Sequence, residues 1–93
     1  MLRFEWDPRK EAANRKKHGV SFEEARSAFF DELAIQFVDV DHAEAEDRFI
    51  LLGMSAALRI LVVCHCERRS GTTIRIIPAR KATPRERAHY RGA

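Results

Sequence analysis

Between Arg68 and Arg91 the chain carries eight Lys/Arg residues and one acid, Glu86. Arginine at this density presents planar, permanently charged forks that match phosphate oxygens. Arg68 and Arg69 precede a Ser-Gly pair, Arg75 stands inside the apolar run Ile74–Ile77, and Arg80 and Lys81 follow that run. A guanidinium between Ile74 and Ile76 must project from the opposite face, which is therefore wet or filled by a ligand, because an unpaired buried charge is too costly. The structural alternative is a pair between Arg75 and an acid such as Asp31 or Glu67. A sheet edge or groove lined in this way suits a polyanion, and nucleic acid is the commonest one. The plainer alternative is a solvated basic face.

Breaking a ribose–phosphate chain without a metal needs three things. One group must take the 2′-OH proton, another must protonate the leaving 5′-oxygen, and cations must stabilise the charge that builds on phosphorus. Arg75, Arg80 and Arg68 are the candidate cations, with Arg69 and Lys81 beside them as contacts to the polyanion. His65 is the candidate for proton exchange, since histidine titrates near neutral pH. If Cys64 and Cys66 face the helices, His65 shares the open face with Leu61 and Val63; otherwise it is a satisfied, partly buried histidine. Tyr90 can stack on a base or pack on the sheet. Lys17 and His18 end a helix, where positive charge suits the helix dipole. Asp39, Asp41, Glu44, Glu46 and Asp47 straddle a turn and read as a solvated loop, not a two-metal cluster. Cys64-His65-Cys66 lacks the four ligands of a zinc site, so neither metal nor cofactor is expected.

The elements that must position these groups belong to one domain, residues 1–93, with 45% hydrophobic and 33% charged residues. A chain of this size buries only about 60–65% of its unfolded surface, so each core residue matters. The net charge is +3 and polarised: residues 31–47 hold seven acids and no Lys or Arg, residues 67–93 eight Lys/Arg and two acids. The two poles bind different partners or pair across the sheet. Cys64 and Cys66, two apart in a strand, would form a strained bridge and read as reduced core thiols. The start, MLRFEWDPRK, lacks the apolar stretch of a signal peptide, and no run approaches the ~20 apolar residues of a membrane helix. The expectation is a soluble cytoplasmic protein without membrane association.

Leu2 to Trp6 alternates and predicts a strand with Leu2, Phe4 and Trp6 inward. Asp7-Pro8 opens a polar helix that stops at Gly19. Ser21 and Glu24 form a capping box for a helix with Phe22, Ala25 and Phe29 on its core stripe, ending near Phe30. Strands are expected over 35–40, 48–53, 58–66 and 72–79, the third central, with a polar turn over 41–44 and a hairpin at Arg68–Gly71. Pro78 places the end of the last strand at an edge or bulge. Thr83-Pro84-Arg85-Glu86 caps a short C-terminal helix. The order β-α-α-β-β-β-β-α predicts an α+β fold: an antiparallel meander with the two N-terminal helices on one face.

Phe4-x-Trp6-Asp7-x-x-Lys10, Asn14-x-x-Lys17-His18-Gly19-Val20-x-Phe22-x-x-Ala25 and Phe30-Asp31 resemble the N-terminal half of the BrnT family. Arg48, Gly53, Val62-Val63, Glu67-Arg68, the segment Ile74 to Ala82, Glu86-Arg87 and Tyr90 continue the likeness in order and spacing. The resemblance implies a RelE-like fold and a ribonuclease toxin of a type II toxin–antitoxin system that stops translation. It implies neutralisation by a BrnA-type antitoxin, whose ribbon-helix-helix part binds the operon DNA, in a heterotetramer. DNA would then be met only through the antitoxin. It also raises Lys17 and His18 as RNA contacts. Pro78 departs from the pattern, where the family usually has Ser. A non-catalytic module binding nucleic acid or antitoxin, and a gyrase-targeting toxin of the same fold, are the competing readings.

Overall fold

The computed structural model describes residues 2–40 and 47–90. The elements run β1 (Arg3–Glu5), α1 (Pro8–His18), α2 (Phe22–Ser27), a 3-10 turn (Ala28–Phe30), β2 (Ile35–Val38), β3 (Arg48–Met54), β4 (Ile60–Arg68), β5 (Thr73–Lys81) and α3 (Pro84–Arg87). The expected order and α+β class are observed. The expected turn over 41–44 lies outside the described residues. The sheet order is β1-β5-β4-β3-β2, so the most hydrophobic strand, β4, is central. Strands β2 to β5 form the antiparallel meander, and β1 adds to β5 in parallel, Phe4 opposite Ile74.

Local chemistry sets the helices. The Asp7 carboxylate accepts the Arg9 N–H at 2.8 Å, and Gly19 ends α1 at φ 69° while its N–H donates to Arg15. Ser21 Oγ accepts the Glu24 N–H at 3.0 Å, which is half of the expected capping box. The return half is absent, because Arg59 Nε (2.9 Å) and Ser55 Oγ (2.6 Å) donate to Glu24 instead. A guanidinium is the stronger partner, and the contact ties α2 to the β3–β4 turn. Glu11 accepts from the Phe22 N–H.

The main core lies between the sheet and the helices: Val20, Phe22, Ala25 and Ala28 against Leu51, Leu61, Val63, Ile74, Ile76 and Ala79. Helix α1 buries only Asn14. Asn14 Nδ2 donates to the carbonyls of Val20 (2.9 Å) and Ala79 (2.8 Å), and its Oδ1 accepts the Ala79 N–H (3.1 Å). One amide side chain thus acts as a strand partner on the outer rim of β5. A smaller cluster on the opposite face joins Leu52, Val62, Ala82 and Tyr90.

Strand β5 contains the bulge that Pro78 announces. Val63 pairs with Ala79 and His65 with Ile76, so Cys64 faces two residues, Ile77 and Pro78. Strict alternation would put Arg75 and Arg80 on opposite faces. The extra residue resets the phase: Ile76 and Ala79 both point into the core, and Arg75 and Arg80 both point away from it.

Candidate nucleic-acid interface

The face of the sheet away from α1 and α2 collects Arg3, Arg48, Arg68, Arg75 and Arg80. Arg48, Cys66 and Arg75 stand opposite one another on β3, β4 and β5. Arg75 Nη1 donates to Glu5 Oε2 at 2.9 Å, so its partner is neither Asp31 nor Glu67 but the neighbouring residue on β1. Arg48 keeps its Nε buried with no hydrogen-bond partner among the described residues. Arg68 ends β4 on the same face, whereas Arg69 sits in the hairpin turn at φ 53°.

Arg80 is held differently. Its Nη1 donates to Glu86 Oε1 at 2.7 Å and its Nη2 to Glu86 Oε2 at 2.8 Å, while Nη1 also reaches the Lys81 carbonyl at 3.3 Å. The guanidinium holds the Glu86 carboxyl far below the usual range, down to about 2, and the backbone N–H of Thr83 adds to this. Arg80 and Glu86 border a cavity of about 360 Å³ with an apolar floor of Phe37, Ile50, Leu52 and Val62. Asp39, Cys64 and His89 complete the polar part of its wall. Burial pushes the Cys64 thiol up, so it is a neutral wall group. Along β4, Arg80 lies opposite Val62 and Arg75 opposite Cys66, four residues and roughly 13 Å apart.

Several expected placements are corrected. His65 faces the helices, fully buried, with Leu61 and Val63 in the core, while Cys64 and Cys66 take the open face half-buried. Phe29 meets the His65 ring edge-on at 4.8 Å and Phe49 stacks at 6.0 Å, and its nitrogens lie 3.3 Å from Val63 O and Gln36 Oε1. It cannot reach a polyanion. Tyr90 is buried against Leu52, Val62 and Ala82, and its hydroxyl donates to Asp31, so no ring face is left for a base. Asp39 is not solvated but buried in the cavity wall. Lys17 and His18 line a different groove of about 300 Å³, with Lys10, Asn14, Ile77 and Pro78, between α1 and the β5 rim. Lys81 pairs with Leu61 and so belongs to the helix side of the sheet.

Sequence reasoning passed over His89 and the pairing role of Glu86. Their signal was present: the Thr83 cap fixes α3, and a residue three after Glu86 shares its side of the helical turn. The His89 N–H donates to the Glu86 carbonyl at 3.0 Å.

An α+β sheet with its two N-terminal helices on one face, and on the other an arginine-bearing face whose cavity is bordered by α3, is the class these observations define. The model of a family described as "Ribonuclease toxin, BrnT, of type II toxin-antitoxin system" matches residues 6–86, and the chain belongs to that family. No curated protein matches the chain. A solved structure, that of the Brucella abortus ribonuclease toxin BrnT, is similar with 22% identity and a TM-score of 0.67 over 89% of this chain and 99% of that one. At that identity the likeness is one of fold. Membership makes the chain a ribonuclease toxin, with RNA as its target and a protein antitoxin as its partner. Among the described residues no helix is long and apolar enough to cross a membrane.

Proposed function

We propose that the chain is a metal-independent endoribonuclease of the cytoplasm that cuts RNA on the open face of its sheet and so stops translation. The observation that carries this reading is the turning of Arg80, by the β5 bulge, into the cavity that also holds His89. RNA lies along Arg68, Arg75 and Arg48 and enters the cavity at Arg80. The ribose 2′-oxygen attacks phosphorus, the bond to the 5′-oxygen breaks, and His89 exchanges a proton with one of these oxygens. Arg80 stabilises the added charge on the phosphate. Arg75, opposite a residue roughly 13 Å further along β4, meets a different phosphate of the same RNA strand. Lys17, His18, Arg69 and Lys81, outside this face, hold RNA beyond the cavity.

The reading needs no bound ion, because the arginine guanidinium groups supply the positive charge that the phosphate requires. The antitoxin is of the BrnA type, in a heterotetramer, with its own carboxylates on the arginines and DNA bound through its ribbon-helix-helix part alone. The test is incubation of purified protein with RNA in EDTA, followed by analysis of the new ends. A 2′,3′-cyclic phosphate made by wild type and not by Arg80→Ala is expected. RNA left intact, or cut only after a divalent ion is restored, would contradict the proposal.

A further inference from the structure

Five N–H bonds of Arg80 are unequally used. Both Nη1 hydrogens are taken, by Glu86 and the Lys81 carbonyl, and Nη2 spends one on Glu86. The Nε–H and the remaining Nη2 hydrogen have no partner among the described residues. Those two point the same way and form the second fork of a guanidinium, able to grip two oxygens of one phosphate. Glu86 is fixed in turn: Thr83 N–H donates to its Oε1 at 2.9 Å, and Thr83 Oγ1 accepts the Glu86 N–H at 3.2 Å. The carboxylate is therefore part of the helix cap, and a guanidinium bound to it cannot swing freely. Resting on the ribonuclease reading above, we propose that Glu86 is a positioning residue: it grips Arg80 by one fork so that the other is held ready for a phosphodiester in the cavity.

This assigns a use to a pair that would otherwise only neutralise the site. A carboxylate merely competing for the guanidinium would occupy the position of the phosphate; here it leaves one whole edge unoccupied. Ionisation of Glu86 persists to about pH 2, so the grip is present at every pH at which the fold is useful.

The test is Glu86→Gln, because Gln also serves at this capping-box position and preserves α3. Cleavage kinetics are read beside the ¹⁵N–¹H signal of Arg80 Nε–H during titration with a short oligonucleotide. The kcat of Glu86→Gln is expected to fall about tenfold or more, with KM within about twofold and the unfolding midpoint near that of wild type. The Nε–H signal should move with oligonucleotide in wild type and stay still in the variant. Thr83→Ala, which removes the Oγ1 acceptor but keeps the backbone N–H on Glu86 Oε1 and the Arg80 pair, should lose clearly less kcat than Glu86→Gln. Unchanged kinetics in Glu86→Gln overturn the proposal, as does a drop in KM with kcat kept or raised, which is the mark of a competing carboxylate. Equal kcat losses in Thr83→Ala and Glu86→Gln overturn it too, by reducing Glu86 to a cap. If wild type leaves RNA intact, the ribonuclease reading alone fails and the titration decides. A wild-type shift lost in Glu86→Gln then upholds the positioning; a shift kept in the variant, or absent from wild type, overturns it.

Discussion

Replacing Arg80 by alanine removes a cation from the cavity and little from the fold. Its ion pair is part-exposed, with side chains 41% and 33% accessible, so unfolding free energy should change by no more than about 1 kcal/mol. Cleavage, by contrast, should fall about 10²–10³-fold, as for loss of one donor to a developing oxyanion. Equal activity in Arg80→Ala and wild type would remove Arg80 from the site. His65 supports a prediction of another kind. Burial holds its pKa below the usual 6.5, against the opposing pull of the Val63 carbonyl and Glu67. A base with a depressed folded pKa binds fewer protons folded than unfolded. Its contribution to stability is therefore complete above pH 6.5 and lost as pH falls through 6.5 toward the folded value. Denaturant melts between pH 7 and 5 should show this decline, and His65→Leu should flatten it. The histidine could not be placed from sequence for a simple reason. Both alternating sets of β4, Leu61-Val63-His65 and Val62-Cys64-Cys66, are largely apolar, so period-two logic has no polar side to choose.

Two contacts between elements set the shape of the open face. Asn14 satisfies three buried backbone groups on two segments, and Asn14→Ala should cost about 3 kcal/mol in denaturant unfolding, since all three lose their partner at once. A loss below 1 kcal/mol would mean that α1 is held by something else. Gly53 on β3 supports the 3-10 turn so closely that an added Cβ would lie 2.9 Å from the Ala28 carbonyl oxygen and 3.1 Å from Ala34 Cβ. The nearest obstacle is backbone, so Gly53→Ala should destabilise by about 1–3 kcal/mol, measured in the same melts. The element order was legible because caps, turns and apolar periods agree along the chain: Asp7-Pro8, Gly19, Ser21, Gly71 and Thr83-Pro84 each punctuate where the structure does. Pro78 foretold an edge or bulge, but its effect on the phase of Arg80 depends on where β4 registers against β5. Parallel addition of β1 was not legible either, because a three-residue strand carries no record of its partner.

Taken together, the open face has five arginines partly offset by Glu5, Asp39 and Glu86. RNA affinity should therefore fall with salt, each phosphate neutralised on a single strand contributing about −0.7 to the slope of log K against log salt. Arg75→Ala should reduce the magnitude of that slope by about 0.7, and a slope near zero in wild type would mean that the arginines do not touch phosphate. Polarised composition made a cationic face readable from sequence, whereas its partial neutralisation appears only once Glu5 and Glu86 are seen beside Arg75 and Arg80.

The two borders of the sheet are not alike. On the β5 side, β1 covers only Thr73–Arg75, and beyond it Asn14 occupies both outward backbone groups of Ala79, so a visiting strand would find its ladder of bonds interrupted there. On β2, Asp39 N–H bonds Arg48 O, which turns Gln36 and Val38 main-chain groups outward beside exposed Phe37. A polypeptide added along β2 would meet outward backbone groups at every second residue, whereas along the part of β5 that β1 leaves uncovered it would meet Asn14 already bonded at Ala79.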